Sequence, residues 1–179
     1  MEKEEKLVVK PLLDWFSRQK PNWELYRPKY GTSSTGWDIE ARRKNQDLLI
    51  EAKFIDGPFL ASFAGLVAAP LAKRPQHLMK RKYRSWCHDI CWAIGSNYES
   101  RNIYQILFDY FARNPVFWKH YCKDLHAKYI FFVKGNRVTR VPFADMLDIA
   151  DAYVDKTHDA RLAEKRSVAA ELMKKFKFG

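Results

Sequence analysis

The sequence predicts an α/β fold, with one central mixed sheet flanked by helices, and three observations carry that expectation. Two stretches, Trp37 to Phe54 and Lys128 to Val141, each alternate or run apolar on either side of a polar turn, as paired strands do. Apolar residues at helical spacing precede, separate and follow them. Strands interleaved with helices in this way define a sheet with helices packed on it. The 179 residues are enough for one domain with a real core, and 47% hydrophobic and 15% aromatic content fits a globular chain.

Taken in order, 2–19 reads as a helix. Val8, Leu12, Trp15 and Phe16 fall at helical spacing, and Pro11 should kink it or mark its true start. Trp23 to Arg27 is a short strand candidate, and 28–35 a loop containing the hydroxyl-rich run Thr32-Ser33-Ser34-Thr35. Small residues there allow backbone N–H groups, with Ser33 and Ser34, to approach a phosphate, although a solvated connector has the same composition. Trp37 to Arg42 alternates apolar and charged residues, and Leu48 to Phe54 is apolar except for Glu51 and Lys53. A helix is expected over 59–73, with Phe63, Leu66, Val67 and Leu71 inward, and another over 76–94, with Trp86, Ile90 and Ile94 on its apolar stripe. Further helices follow over 102–113 and from Pro115 to Tyr121. Gly135-Asn136 joins strands 128–134 and 137–141, and Pro142 opens a helix to about Asp155. Thr157 is placed to N-cap a last helix carrying Leu162, Leu172, Met173 and Phe176. The resulting organisation is a domain over 1–156, with 76–125 as a helical insertion, and a basic helical extension over 157–179.

The chain carries 32 Lys and Arg against 21 Asp and Glu, a formal charge of +11. Such an excess favours polyanions, because neutralising phosphates releases counterions. Lys80, Arg81, Lys82 and Arg84 form the densest basic cluster and are the expected phosphate contacts, unless they are only a solvated helix face. The three cysteines, Cys87, Cys91 and Cys122, cannot all pair within the chain, which fits a reducing compartment. No apolar run approaches membrane-spanning length, and no secretory leader pattern opens the sequence, so a cytoplasmic protein with no membrane partner is expected.

The chemistry gathers around Gly36 to Lys53. Side chains alternate along a strand, so Glu51 and Lys53 share a face, and a neighbouring strand brings Asp38 to the same side. Carboxylates placed in apolar surroundings cost several kcal/mol unless compensated, and a hard divalent cation compensates them. Asp38 and Glu51, with the carbonyl of Ala52, are the candidate ligands. Lys53 is then positioned to orient an attacking water or to neutralise charge developing on a phosphate.

Gly36-Trp37-Asp38, followed by Ile50-Glu51-Ala52-Lys53, resembles the PD-(D/E)XK nuclease superfamily, the restriction-endonuclease-like fold. That resemblance implies an Asp on the second core strand and a Glu-x-Lys on the third. A helix precedes them, and another follows before a further strand. It implies a Mg²⁺-dependent endonuclease that hydrolyses DNA phosphodiester bonds and leaves 5′-phosphate ends, with Mn²⁺ able to substitute. It also implies a further acidic residue from the first helix, for which Glu5 is the best match by helical spacing and Glu4 the alternative. Trp37 stands where the motif has proline, and Ser62 is the only polar candidate on the following helix. DNA is the favoured partner over RNA, and a homodimer with one site for each strand is common among such enzymes. A catalytically silent nucleic-acid-binding module and an RNA-directed nuclease are the alternatives.

Overall fold

The computed structural model describes residues 2–27, 37–58, 61–67 and 88–154. Six strands form one mixed sheet in sequential order: β1 (Glu24–Tyr26), β2 (Ile39–Arg43), β3 (Gln46–Ile55), β4 (His88–Ser96), β5 (Ala127–Lys134) and β6 (Arg137–Pro142). The first three strands are a meander, β3, β4 and β5 run parallel, and β6 returns antiparallel. The fold is thus α/β, as the alternation of strand and helix patterns predicts.

The N-terminal helix, α1, comprises Glu2–Glu4, a π-helical turn at Glu5–Val9 and an α-helical stretch at Lys10–Ser17. Pro11 accounts for the widened turn. Its ring would crowd the carbonyl four residues back and it offers no N–H, so the preceding turn opens. Lys10 N–H reaches Glu5 O, five residues back, and the helix neither stops nor restarts. A helical segment over 61–67, α2, follows β3, and α3 (Ser100–Ala112), α4 (Pro115–Leu125) and α5 (Phe143–Val154) are the later helices among the described residues.

Period-two alternation sorts the sheet into two cores. Ile39, Ala41, Leu48, Ile50, Ala52, Cys91, Ala93, Phe131 and Val133 face α1, meeting Val8, Val9, Leu12 and Phe16. Leu49, Ile55, Trp92, Ile94, Ile130 and Phe132 face the opposite layer, α2 to α5. Trp92 stands at the centre of that second core. Its ring lies 5.0 Å from Phe143 and 6.0 Å from Tyr121. Its indole N–H donates to Leu66 O at 3.3 Å, and Tyr121 OH donates to Val67 O, so two buried donors hold the Leu66 and Val67 carbonyls of α2.

One expectation fails outright. The stretch 88–94, read as part of a helix with Ile90 and Ile94 on its stripe, belongs to β4, the strand between β3 and β5. A strand covered on both faces is apolar on both, and its continuous run Ile90-Cys91-Trp92-Ala93-Ile94 fits either period. The interval 76–125 is therefore not a helical insertion: it supplies a central strand, and α3 and α4 pack on the second core. Cys91 is buried on the α1 side of the sheet rather than on a helix face. Residues 68–87, with Lys80, Arg81, Lys82 and Arg84, lie outside the described residues, as do residues 28–36, with Ser33 and Ser34, and residues 157–179. No helix among the described residues is long and apolar enough to cross a membrane.

Phe131 is fully buried between α1 and the sheet, with Trp15 at 5.7 Å and Phe16 at 5.5 Å. Phe131→Ala should cost about 3–5 kcal/mol in urea denaturation. Phe117→Ala, at a ring that is 49% exposed, should cost less than about 0.5 kcal/mol.

Candidate active site

The candidate site is built on the edge of β3 where β2 stops. β2 pairs with β3 from Arg43↔Gln46 to Ile39↔Ile50 and goes no further. N–H and C=O of a given strand residue point toward the same neighbour. The edge that Ile50 offers to β2 therefore continues with the N–H and C=O of Ala52 and then the N–H of Phe54. These buried-strand donors need partners once the neighbouring strand has ended.

Two carboxylates supply them. Asp38 N–H donates to Ile50 O at 3.1 Å, which anchors the residue level with Glu51. Its side chain then turns along the edge, and Oδ2 accepts from Ala52 N–H at 2.7 Å. The next N–H, that of Phe54, donates to the Glu4 carboxylate, brought there by the first turn of α1. The Ala52 carbonyl lies between these two donors on the same edge, flanked by two acids. Asp38 is held so tightly because the chain changes layers there: Trp37 is buried in the α2–α5 core, whereas Ile39 is buried against α1. Simple alternation over Trp37, Ile39 and Ala41 would have put all three on one face.

Glu51 and Lys53 follow the expected alternation. Glu51 is half-buried beside its β4 register partner Trp92, and Lys53 is exposed, with Ile94 as partner. Lys53 is within electrostatic reach of Glu4. Asp38, Ala52, Lys53 and Glu4 are thus brought to one end of the hairpin, with Glu51 between them in β3.

The first-helix acid next to Asp38 is Glu4. Glu5 is bound through both oxygens by Arg27, at 2.6 and 2.5 Å. Spacing back from Val8, Leu12 and Phe16 assumes α-helical turns throughout, and the π turn adds a residue before that count reaches the acids. Lys3 ties the same end of the helix to Asp56 just past β3, at 2.9 Å. That ion pair holds the Asp56 carboxyl below its ordinary range.

Burial pushes the Glu4 carboxyl above its ordinary pKa, and the nearby Asp38 charge adds to the effect; Lys53 and the Phe54 N–H pull against it. Two partly desolvated acids around a main-chain carbonyl are an all-oxygen donor set, which suits a hard cation. Among the described residues no group of three or more His, Cys, Asp or Glu is placed to hold a metal ion. A cation here would therefore use one or two carboxylates, the carbonyl and water, which is how Mg²⁺ is usually held. On donor chemistry Asp38, Glu51 and the Ala52 carbonyl could hold a hard cation such as Mg²⁺.

No protein-family model matches the chain, and neither the curated proteins nor the solved structures contain a match to it.

A raised carboxyl pKa means that the folded chain binds its proton more readily than the unfolded chain. Stability on this account is fully present below the ordinary carboxylate value, about 4.3, and is lost as pH rises from there through the raised value of the folded chain. In metal-free buffer, Glu4→Gln should therefore raise the melting temperature at pH 7, with the gain disappearing below about pH 4. Thermal melts of both proteins from pH 3.5 to 8 check the sign.

Proposed function

We propose that the chain is a metal-dependent endonuclease that hydrolyses DNA phosphodiester bonds, on a restriction-endonuclease-like core. The observation carrying this reading is the Asp38 carboxylate fixed on the Ala52 N–H, level with Glu51 and beside Lys53, at an edge also occupied by Glu4. Supporting it, α1, the β1–β3 meander, α2 and the next parallel strand follow the element order that the Asp and Glu-x-Lys motif implies. The net charge of +11 favours a polyanionic substrate.

Each residue then has a defined task. Asp38 and Glu51, with the Ala52 carbonyl, hold the Mg²⁺. When bound, that cation supplies Lewis-acid stabilisation to the charge on the phosphate. Lys53, exposed and next to the acids, donates to a phosphate oxygen or orients the attacking water, and its fixed charge opposes the negative charge that grows in the transition state. Glu4 keeps the edge acidic and holds the Phe54 N–H. Ala52 N–H fixes the Asp38 carboxylate in one orientation before substrate arrives, and preorganisation of this kind lowers the barrier rather than tightening substrate binding.

The purified chain, incubated with plasmid, single-stranded DNA, branched DNA and RNA, should cut DNA in Mg²⁺ or Mn²⁺ and not in EDTA. Asp38→Ala, Glu51→Ala and Lys53→Ala should each slow cutting at least ~100-fold while DNA binding in Ca²⁺ stays within a few-fold. Salt-sensitive binding with no product in any metal would favour the catalytically silent module. Cutting confined to RNA would move the reading to that substrate.

A further inference from the structure

The α1 side of β4 is lined by small side chains, Cys91 and Ala93, and ends in Gly95, which pairs in register with Phe54. A Cβ added at Gly95 would stand 2.6 Å from Val8 Cγ2, 3.0 Å from a Phe54 ring carbon and 3.5 Å from Leu7 O. Val8 is fully buried and β-branched, so it has little freedom to turn aside. The π turn of α1 therefore rests directly on the bare backbone of β4, and it seats there only because residue 95 has no side chain. Glu4 immediately precedes that turn, and its carboxylate meets the N–H of Phe54, the register partner of Gly95. The seat of the helix and the reach of the acid are thus set within one cross-strand pair.

We propose that Gly95 is a positioning residue for the cation site: the absence of a side chain lets the π turn of α1 seat on β4 and so holds Glu4 at the Phe54 N–H beside Asp38. This rests on the reading of the β3 edge as a cation site. Any larger residue at 95 lifts the turn, withdraws Glu4 from the edge and leaves Asp38, which is anchored by the sheet itself, where it is. By the same logic Gly65, whose added Cβ would meet nothing within 4 Å, is a neutral position and serves as the control.

The test is Mn²⁺ binding to the chelator-stripped full chain, followed by the electron paramagnetic resonance signal of free Mn²⁺, with no nucleic acid present. Gly95→Ala should weaken Mn²⁺ affinity roughly tenfold, the size expected when a group supporting metal ligands is displaced. Gly65→Ala should leave the affinity unchanged. Adding Val8→Ala to Gly95→Ala removes the clashing methyl groups and should recover most of the loss. In a Glu4→Gln background Gly95→Ala should have no further effect, whereas a merely structural role would weaken both backgrounds equally. If Gly95→Ala fails to fold, Val8→Ile, which enlarges the other side of the same contact, is measured in its place. Wild-type affinity in a folded Gly95→Ala or Val8→Ile, or equal losses with and without Glu4, overturns the positioning role alone. Failure of the wild-type chain to bind Mn²⁺ overturns the cation site, and this inference with it.

Discussion

The arrangement depends on a strand that ends early. β2 leaves β3 at Ile39↔Ile50, and beyond that point every second residue of β3, Ala52 and then Phe54, would present unmet main-chain groups at the sheet edge. Natural sheets cover such edges because open N–H and C=O groups are costly and attract other chains. Here the cover is acidic. Asp38 takes the Ala52 N–H and Glu4 the Phe54 N–H, so the hydrogen-bonding needs of the backbone draw two carboxylates to one carbonyl. A concentration of negative charge that would otherwise be hard to justify is thus a direct consequence of strand length.

The two layers hold this edge from opposite sides. α1 lies on the small-residue floor of Ala52, Cys91 and Ala93, and carries Glu4 to β3. Trp37 is anchored in the α2–α5 core, one residue before the chain crosses to put Ile39 on the α1 side. Asp38 sits at that crossing with neighbours fixed in both cores. Its backbone is fixed because both flanking residues are buried, and the Ala52 N–H holds its carboxylate in place.

Much of this was readable from the residues. The β2–β3 hairpin, the β5–β6 hairpin and the shared face of Glu51 and Lys53 follow from period-two alternation and turn chemistry, because one-sided burial leaves that trace in sequence. β4 was not readable as a strand, since burial on both faces erases the alternation and leaves an apolar run that also fits a helical stripe. Helical counting favours Glu5 over Glu4 because it assumes a constant turn, and the π turn before Pro11 changes the count. Pro11 was the available signal: a proline inside a periodic stretch marks where the phase of the face can shift. The layer change at Asp38 had no local signal, as it arises from where Trp37 finds its core.

The proposed enzyme requires the β3 edge past Ile50 to grip a divalent cation. The most direct measurement is the anomalous difference map of a crystal of this chain soaked in Mn²⁺. A single strong peak in contact with the Asp38 carboxylate and the Ala52 carbonyl, on the side where Glu51 reaches it, is the predicted result. An edge without a peak, while Mn²⁺ occupies some other part of the molecule, would contradict the account.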